Sequence, residues 1–250
     1  MLRPRCVVCA LFLAVVGLTV TASLAQETKE PSLATLTAKD SPLREGEAIA
    51  FLGDSITQQG AGQNGYVWLI EQAVAKQRPE LKAQIIKAGI SGHKVPDLQA
   101  RLERDVLGKR PTAVFIYIGI NDVWHSERGR GTDKDKYEAG LRDLIARIEK
   151  AGAVVVLATP SVIGEKNDGA NKLDKMLDEY AAISRKVAAD TKVTLCDLHA
   201  DFQTHLKQHN KDNKDRGILT TDGVHLNGAG NALVAERAAA SLAAALKNRK

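Results

Sequence analysis

The chain has 250 residues, of which 44% are hydrophobic and 26% are charged, as in an ordinary globular protein. Aromatic residues make up only 4%, too few for the stacking surface of a single-stranded nucleic-acid binder. The net charge is +5, but basic and acidic residues are interleaved along the predicted helices, which indicates a solvated surface. We therefore expect no nucleic-acid partner.

Residues 1–25 are typical of a secretory signal peptide. Arg3 and Arg5 give a positive start, an apolar run follows from Cys6 to Val20, and small residues precede a cleavage site near Ala25. The apolar run is short for a membrane-spanning helix, which needs roughly 20 residues. We therefore predict a secreted or periplasmic protein, with a retained membrane anchor as the alternative.

From residue 26 onward the chain divides into a polar segment and a long region in which short apolar runs alternate with segments of helical period. Residues 26–45 contain Pro31 and Pro42 and show no sustained periodicity, which predicts a linker or poorly ordered arm. Short apolar runs then cover Ala48–Leu52, Gln84–Ala88, Ala113–Ile118, Ala153–Ala158 and Lys192–Cys196. Segments of helical period cover Tyr66–Gln77, Pro96–Leu107, Lys136–Lys150, Leu173–Ala189 and Asn231–Leu246.

This alternation predicts the fold class. Strands that are apolar throughout indicate a sheet buried on both faces, and strand–helix alternation implies a parallel sheet with right-handed crossovers. For residues 46–250 we predict a single α/β domain, a three-layer α/β/α sandwich of about five parallel strands in flavodoxin-like order.

Polar residues and glycines follow the predicted strands at the points where the strands end. Ser55 follows the first strand, Gly92 the second and Asn121 the third, while Asp222 and His225 precede the last helix. Because the carboxyl ends of parallel strands lie at one edge of a sheet, we expect the first three to lie close together where ligands bind.

These residue types are the ones that acyl transfer requires. A serine hydroxyl needs an adjacent base, most often histidine, and a carboxylate on the other ring nitrogen fixes the tautomer. Each residue alone has an ordinary explanation: His225 as a surface histidine, and the others as turn or cap residues. Together they predict a catalytic triad of Ser55, His225 and Asp222. They also predict an oxyanion hole from the N–H groups of Ser55 and Gly92 and the carboxamide of Asn121.

The sequence resembles the SGNH hydrolases of the GDSL esterase/lipase group. The motifs that carry the resemblance are Gly53-Asp54-Ser55-Ile56, the turn at Gly92, Gly119-Ile120-Asn121-Asp122 and Asp222-Gly223-Val224-His225. The resemblance implies the flavodoxin-like fold, the same triad and the same oxyanion hole, and it implies no metal or organic cofactor. Lys87-Ala88 stands where many members carry an Asn, which leaves the subfamily open.

Two other motifs point to different functions. Gly60 to Gly65 matches a dinucleotide-binding fingerprint, but it begins seven positions after Gly53 and no carboxylate ends the second strand, so we interpret it as a loop. His205 and His209 are four residues apart on a probable helix but lack a third ligand, so we expect no metal site.

The sequence thus predicts a secreted serine ester hydrolase that acts through an acyl-enzyme on short-chain or acetyl esters, carbohydrate O-acetyl groups among them. Trp124 and His125 are candidates for substrate contact. A lysophospholipase or thioesterase of the same fold is one alternative, and a binding module without activity is another. The expected partners are small-molecule or oligosaccharide esters, with no stable membrane insertion once the signal peptide has been removed.

Overall fold

The computed structural model describes residue 1 and residues 32–249, so the predicted signal peptide lies outside the described residues except for Met1. Five strands form one parallel sheet: β1 (Ala48–Gly53), β2 (Gln84–Gly89), β3 (Ala113–Tyr117), β4 (Val154–Ala158) and β5 (Thr194–Cys196). Their order is β2-β1-β3-β4-β5, which is the predicted flavodoxin-like order.

Helices cover both faces of this sheet. They are α1 (Ala34–Thr37), α2 (Ser55–Gly60), α3 (Tyr66–Gln77), α4 (Val95–Asp105), α5 (Ile120–Trp124), α6 (Lys134–Lys150), α7 (Asp174–Thr191), α8 (Leu198–His209) and α9 (Gly228–Lys247). Helices α4, α6 and α7 pack together in one layer, and α1, α3 and α9 pack together in the other. None of the helices within residues 32–249 is long and apolar enough to cross a membrane.

The two central strands are the ones that lead into the site. Every residue of β1 and β3 is buried, because both faces of these strands are covered. β2 lies at the edge of the sheet and exposes Gln84 and Lys87. The predicted burial on both faces is therefore found in the central strands β1 and β3 but not in β2. The register places Gly53 opposite Gly89 and Tyr117, so the chain leaves all three strands at the same level.

Residues 32–45, which belong to the segment predicted as a linker or poorly ordered arm, pack against the domain. Leu36 and Leu43 are only 1% and 5% exposed, and these residues belong to the same compact unit as the sheet. The guanidinium of Arg249, at the opposite end of the chain, donates a hydrogen bond of 2.6 Å to the carbonyl of Pro42. Isolated buried leucines and hydrogen bonds from distant residues anchor this polar segment, and neither produces a periodic pattern in the sequence.

Candidate active site

The predicted nucleophile lies where β1 ends and α2 begins. Asp54 caps α2, because its Oδ1 accepts a hydrogen bond of 2.9 Å from the N–H of Ile56. This cap turns the chain out of the sheet and makes Ser55 the first residue of the helix. Ser55 is 8% exposed, and its Oγ lies 2.9 Å from Nε2 of His225.

The predicted base lies on the loop between α8 and α9. Nδ1 of His225 is 2.8 Å from Oδ2 of Asp222. The other carboxylate oxygen of Asp222 accepts hydrogen bonds from the N–H groups of Val224 and His225, at 3.0 and 2.8 Å. Asp222 therefore holds both the ring and the backbone of His225, with Nε2 directed at Ser55.

The environment of Asp222 keeps its carboxylate ionised. Partial burial pushes the pKa of Asp222 upward, but hydrogen bonds from the His225 side chain and from the N–H groups of His225 and Val224 outweigh it and lower the pKa below the usual aspartate value. An ionised carboxylate at this position stabilises the imidazolium that forms when the ring takes a proton.

Two of the predicted oxyanion donors are open backbone groups. Gly92 lies in the turn after β2 with φ +77°, a left-handed conformation that favours glycine. Within residues 32–249, the N–H groups of Ser55 and Gly92 donate to no other protein group. Both are therefore available to a bound ligand.

Asn121, the third predicted donor, lies between the two loops that carry these amides. Its Nδ2 donates a hydrogen bond of 3.1 Å to the carbonyl of His93 and a long one of 3.5 Å to Oδ2 of Asp54. The structure thus links Asn121 to the residue before Ser55 and to the residue after Gly92.

Gln58 connects α2 to the Gly92 turn, a role that was not predicted from the sequence. Its Oε1 accepts hydrogen bonds from the N–H and the hydroxyl of Ser91, both at 2.7 Å. The backbone of α2 also approaches β2 closely, since a Cβ at Gly89 would lie 2.2 Å from the backbone nitrogen of Gln58. A glutamine one turn after a serine is too common to indicate this role.

Glu165 anchors the loop that carries the base, and it too was missed. This side chain is fully buried. One carboxylate oxygen accepts from the N–H groups of Leu219 and Thr220 and from the Thr220 hydroxyl, at 2.7, 2.6 and 2.7 Å. The other accepts from the N–H of Ile218 at 2.7 Å. A buried carboxylate requires such donors, and these fix the backbone just ahead of Asp222.

Two buried carboxyl groups, of Asp54 and Asp122, directly neighbour the predicted oxyanion residues Ser55 and Asn121 in the chain. Burial raises the pKa of Asp54 to about 7, and the nearby charge of Asp122 acts in the same direction. Burial also raises the pKa of Asp122 to about 6. Asp122 Oδ1 accepts a hydrogen bond of 3.2 Å from the N–H of Val95, at the start of α4. Through these hydrogen bonds and the contact between Asp54 and Asn121, the two carboxyl groups join the predicted site to the buried interior of the domain.

The remaining residues considered in the sequence lie on α5, directly after it, and on α8. Trp124 ends α5, one turn after Asn121, and is 36% exposed, with its ring centroid 6.4 Å from that of His125. Their contact with substrate stays a prediction. His205 and His209 stack on α8 with centroids 4.3 Å apart, and no group of three metal-ligating side chains occurs among the described residues.

The sequence model of the GDSL-like Lipase/Acylhydrolase family matches residues 51–233. The chain belongs to this family. An acetylxylan esterase from Geobacillus stearothermophilus is 32% identical over 207 residues, which cover 76% of this chain and 91% of that protein. An isoamyl acetate-hydrolyzing esterase 1 homolog from Rattus norvegicus is 29% identical over 218 residues, covering 80% and 82%.

Solved structures agree with this assignment. The crystal structure of the acetyl xylan esterase AlAXEase superposes with a TM-score of 0.74 at 43% identity, covering 76% of this chain and 97% of that chain. Catalytic mutants of the Geobacillus stearothermophilus esterase replace a serine, an aspartate and a histidine by alanine, and that aspartate and histidine are spaced three apart, as are Asp222 and His225. The resemblance to SGNH hydrolases is confirmed, and this GDSL-family chain is a carboxylic ester hydrolase with a Ser-His-Asp triad.

Proposed function

We propose that this GDSL-family protein is an exported esterase that removes acetyl and other short acyl groups, with O-acetylated carbohydrates as its substrates. The observation that carries the proposal is the hydrogen-bonded line from Ser55 to His225 to Asp222, with distances of 2.9 and 2.8 Å. Acetyl-ester hydrolases among the relatives support the acyl group, and acetylxylan esterases support the carbohydrate.

In the first half-reaction, Oγ of Ser55 attacks the ester carbonyl carbon while Nε2 of His225 takes the hydroxyl proton. Asp222 stabilises the resulting imidazolium. The carbonyl oxygen becomes an oxyanion and accepts hydrogen bonds from the open N–H groups of Ser55 and Gly92.

Asn121 supplies the third hydrogen bond to this oxyanion. Its contact with Asp54 is 3.5 Å long, so a charged oxygen replaces that contact at little cost, while the 3.1 Å bond to His93 holds the carboxamide in place. The donor is therefore positioned before the substrate arrives.

Collapse of the tetrahedral intermediate transfers the proton from His225 to the leaving alcohol and leaves the acyl group on Ser55. Water then attacks this acyl-enzyme, with His225 taking one proton from the water. The second collapse releases the carboxylic acid and returns the proton to Ser55, which regenerates the enzyme.

Export and small substrates are consistent with the sequence. The positive start, apolar run and small residues of residues 1–25 favour passage across a membrane with cleavage near Ala25. Within residues 32–249 the two longest connections, residues 159–173 and 210–227, are largely polar and carry no long apolar insertion that would act as a lid on lipid surfaces.

The test is hydrolysis of p-nitrophenyl esters of increasing chain length, run beside acetylated xylooligosaccharides. We expect kcat/KM to fall from acetyl to octanoyl esters and Ser55→Ala to abolish turnover, whereas Ser241→Ala on α9 stays active. Higher activity on lysophospholipids or acyl thioesters than on acetylated sugars would overturn the substrate proposal. Full activity of Ser55→Ala would overturn the mechanism.

A further inference from the structure

Arg101 is a buried cation close to the site that the reaction steps do not use. It lies on α4 and is only 4% exposed. Burying a guanidinium is costly unless its donors are paired. Its neighbour Arg104 lies on the same helix with 75% of its side chain exposed, and both bind the carboxylate of Asp105.

The donors of Arg101 reach two strand ends. One terminal nitrogen donates to the carbonyl of Gly53 at 2.8 Å, and the other donates to the carbonyl of Ala88 at 2.9 Å. Gly53 ends β1 two residues before Ser55, and Ala88 precedes the last residue of β2. The guanidinium therefore ties together the two strands from which the nucleophile and the Gly92 turn emerge.

A third donor of Arg101 acts on the Gly92 turn itself. Its Nε–H donates a hydrogen bond of 3.0 Å to Nδ1 of His93. Partial burial and the charge of Arg101 lower the pKa of His93, which favours the neutral ring, and the Nε–H that faces Nδ1 requires the tautomer in which Nδ1 is the acceptor. The carbonyl of the same residue accepts the 3.1 Å hydrogen bond from Asn121.

We propose that Arg101 is a positioning residue that sets the spacing of the oxyanion donors, by holding the carbonyls of Gly53 and Ala88 and the ring of His93. Only a planar fork with donors in three directions makes these contacts together, so lysine cannot replace it. This inference rests on the oxyanion hole of the proposed function.

The test compares Arg101→Lys and Arg101→Met with Arg104→Met as a matched control on the same helix. Displacing oxyanion donors weakens binding of the transition state more than binding of the ester. We therefore expect both Arg101 variants to lose about 10- to 100-fold in kcat with KM changed less than about threefold. Arg104→Met should keep the wild-type values.

A double-mutant cycle with Asn121→Ala separates positioning from general loosening of the fold. Asn121→Ala alone should cost about 100-fold in kcat, and adding Arg101→Lys to it should cost much less than Arg101→Lys costs in the wild-type chain. Independent, multiplicative losses, a loss confined to KM, or no loss would overturn the proposal. Failure of both Arg101 variants to fold would also overturn it, in favour of a folding role.

The cycle also distinguishes the two proposals. If Asn121→Ala leaves kcat unchanged, the oxyanion hole of the proposed function is wrong. If Asn121→Ala lowers kcat while both Arg101 variants match Arg104→Met, only the role of Arg101 is wrong.

Discussion

The two halves of the candidate active site are held in place by different interactions. Ser55 lies two residues after β1 and Gly92 lies three residues after β2, so the parallel sheet itself places them. Asp222 and His225 lie on a loop between two helices, and the side chain of Asp222 is 47% exposed. The strands fix the position of the nucleophile. Hydrogen bonds to the buried carboxylate of Glu165 fix the position of this loop.

This difference has a consequence for stability and dynamics. Strand ends are fixed by the register of the whole sheet, so they move only when the core opens. A loop fixed by a few polar anchors opens at a lower free-energy cost, and its position depends on each anchor. We therefore expect the base to be easier to displace than the nucleophile.

Asp222→Asn alters the carboxylate that orients the predicted base, His225, and has the largest expected effect. The carboxamide presents at most one acceptor and no charge, so the His225 tautomer and the imidazolium lose their support. We expect kcat to fall on the order of 10³- to 10⁴-fold with little change in KM. Asp215→Asn, an exposed aspartate of the same loop, is the control for steady-state kinetics. A loss below tenfold would remove Asp222 from the triad.

Glu165→Gln tests the anchor of the loop half without touching the reacting groups. Glutamine places an NH₂ group against backbone N–H donors, which leaves at least one buried donor unpaired. We expect the free energy of unfolding to fall by about 1–3 kcal/mol and kcat by about tenfold.

Hydrogen exchange locates this effect within the molecule. The amides of Ile218, Leu219 and Thr220 should exchange faster in Glu165→Gln, whereas those of β1 should keep their protection. Glu127→Gln, a glutamate bound to Lys172 at 2.7 Å on another loop, is the control. Equal acceleration in both halves of the site would contradict the distinction between them.

Asp54→Asn tests the strand-end half and has the smallest expected effect on activity, a loss of a few-fold. Asparagine keeps the cap on α2 but is neutral. An unfolded aspartate titrates near pH 4, whereas burial raises the pKa of Asp54 to about 7 in the fold. Between about pH 4 and pH 7 the folded protein therefore binds one more proton at Asp54 than the unfolded chain does. The contribution of Asp54 to the free energy of unfolding falls as the pH rises through this range.

The variant should therefore gain stability relative to the wild type between pH 5 and pH 8, by about 1–3 kcal/mol. Urea unfolding at the two pH values measures this difference, with the exposed Asp212→Asn as the control. An equal difference in unfolding free energy at pH 5 and pH 8 would show that Asp54 stays ionised in the fold.

The contrast between strand ends and a loop held by distant side chains also explains which features could be predicted from the sequence. The strands and the convergence of Ser55, Gly92 and Asn121 follow from local apolar runs and from the geometry of parallel sheets, whereas no local pattern determines the strand order. Helix Tyr66–Gln77 has the predicted bounds, because its periodicity is regular throughout. The spacing of Asp222 and His225 was visible because it lies within one turn.

Anchors that act across long stretches of sequence were not predictable. Glu165 bonds to residues more than 50 positions away, and Arg101 reaches Gly53 across 48 positions. A polar residue in a loop or on a helix is usually solvated, so nothing local distinguishes these two. The short helices α2 and α5 were missed because their single turns carry no periodic signal.

The most direct test of the central claim is covalent labelling with a fluorophosphonate, followed by peptide mass spectrometry. We predict that the wild-type enzyme loses activity in step with one label per chain, attached to Ser55, and that His225→Ala is labelled far more slowly. An active enzyme that resists the reagent, or inactivation by a label on another residue, would contradict Ser55 as the nucleophile.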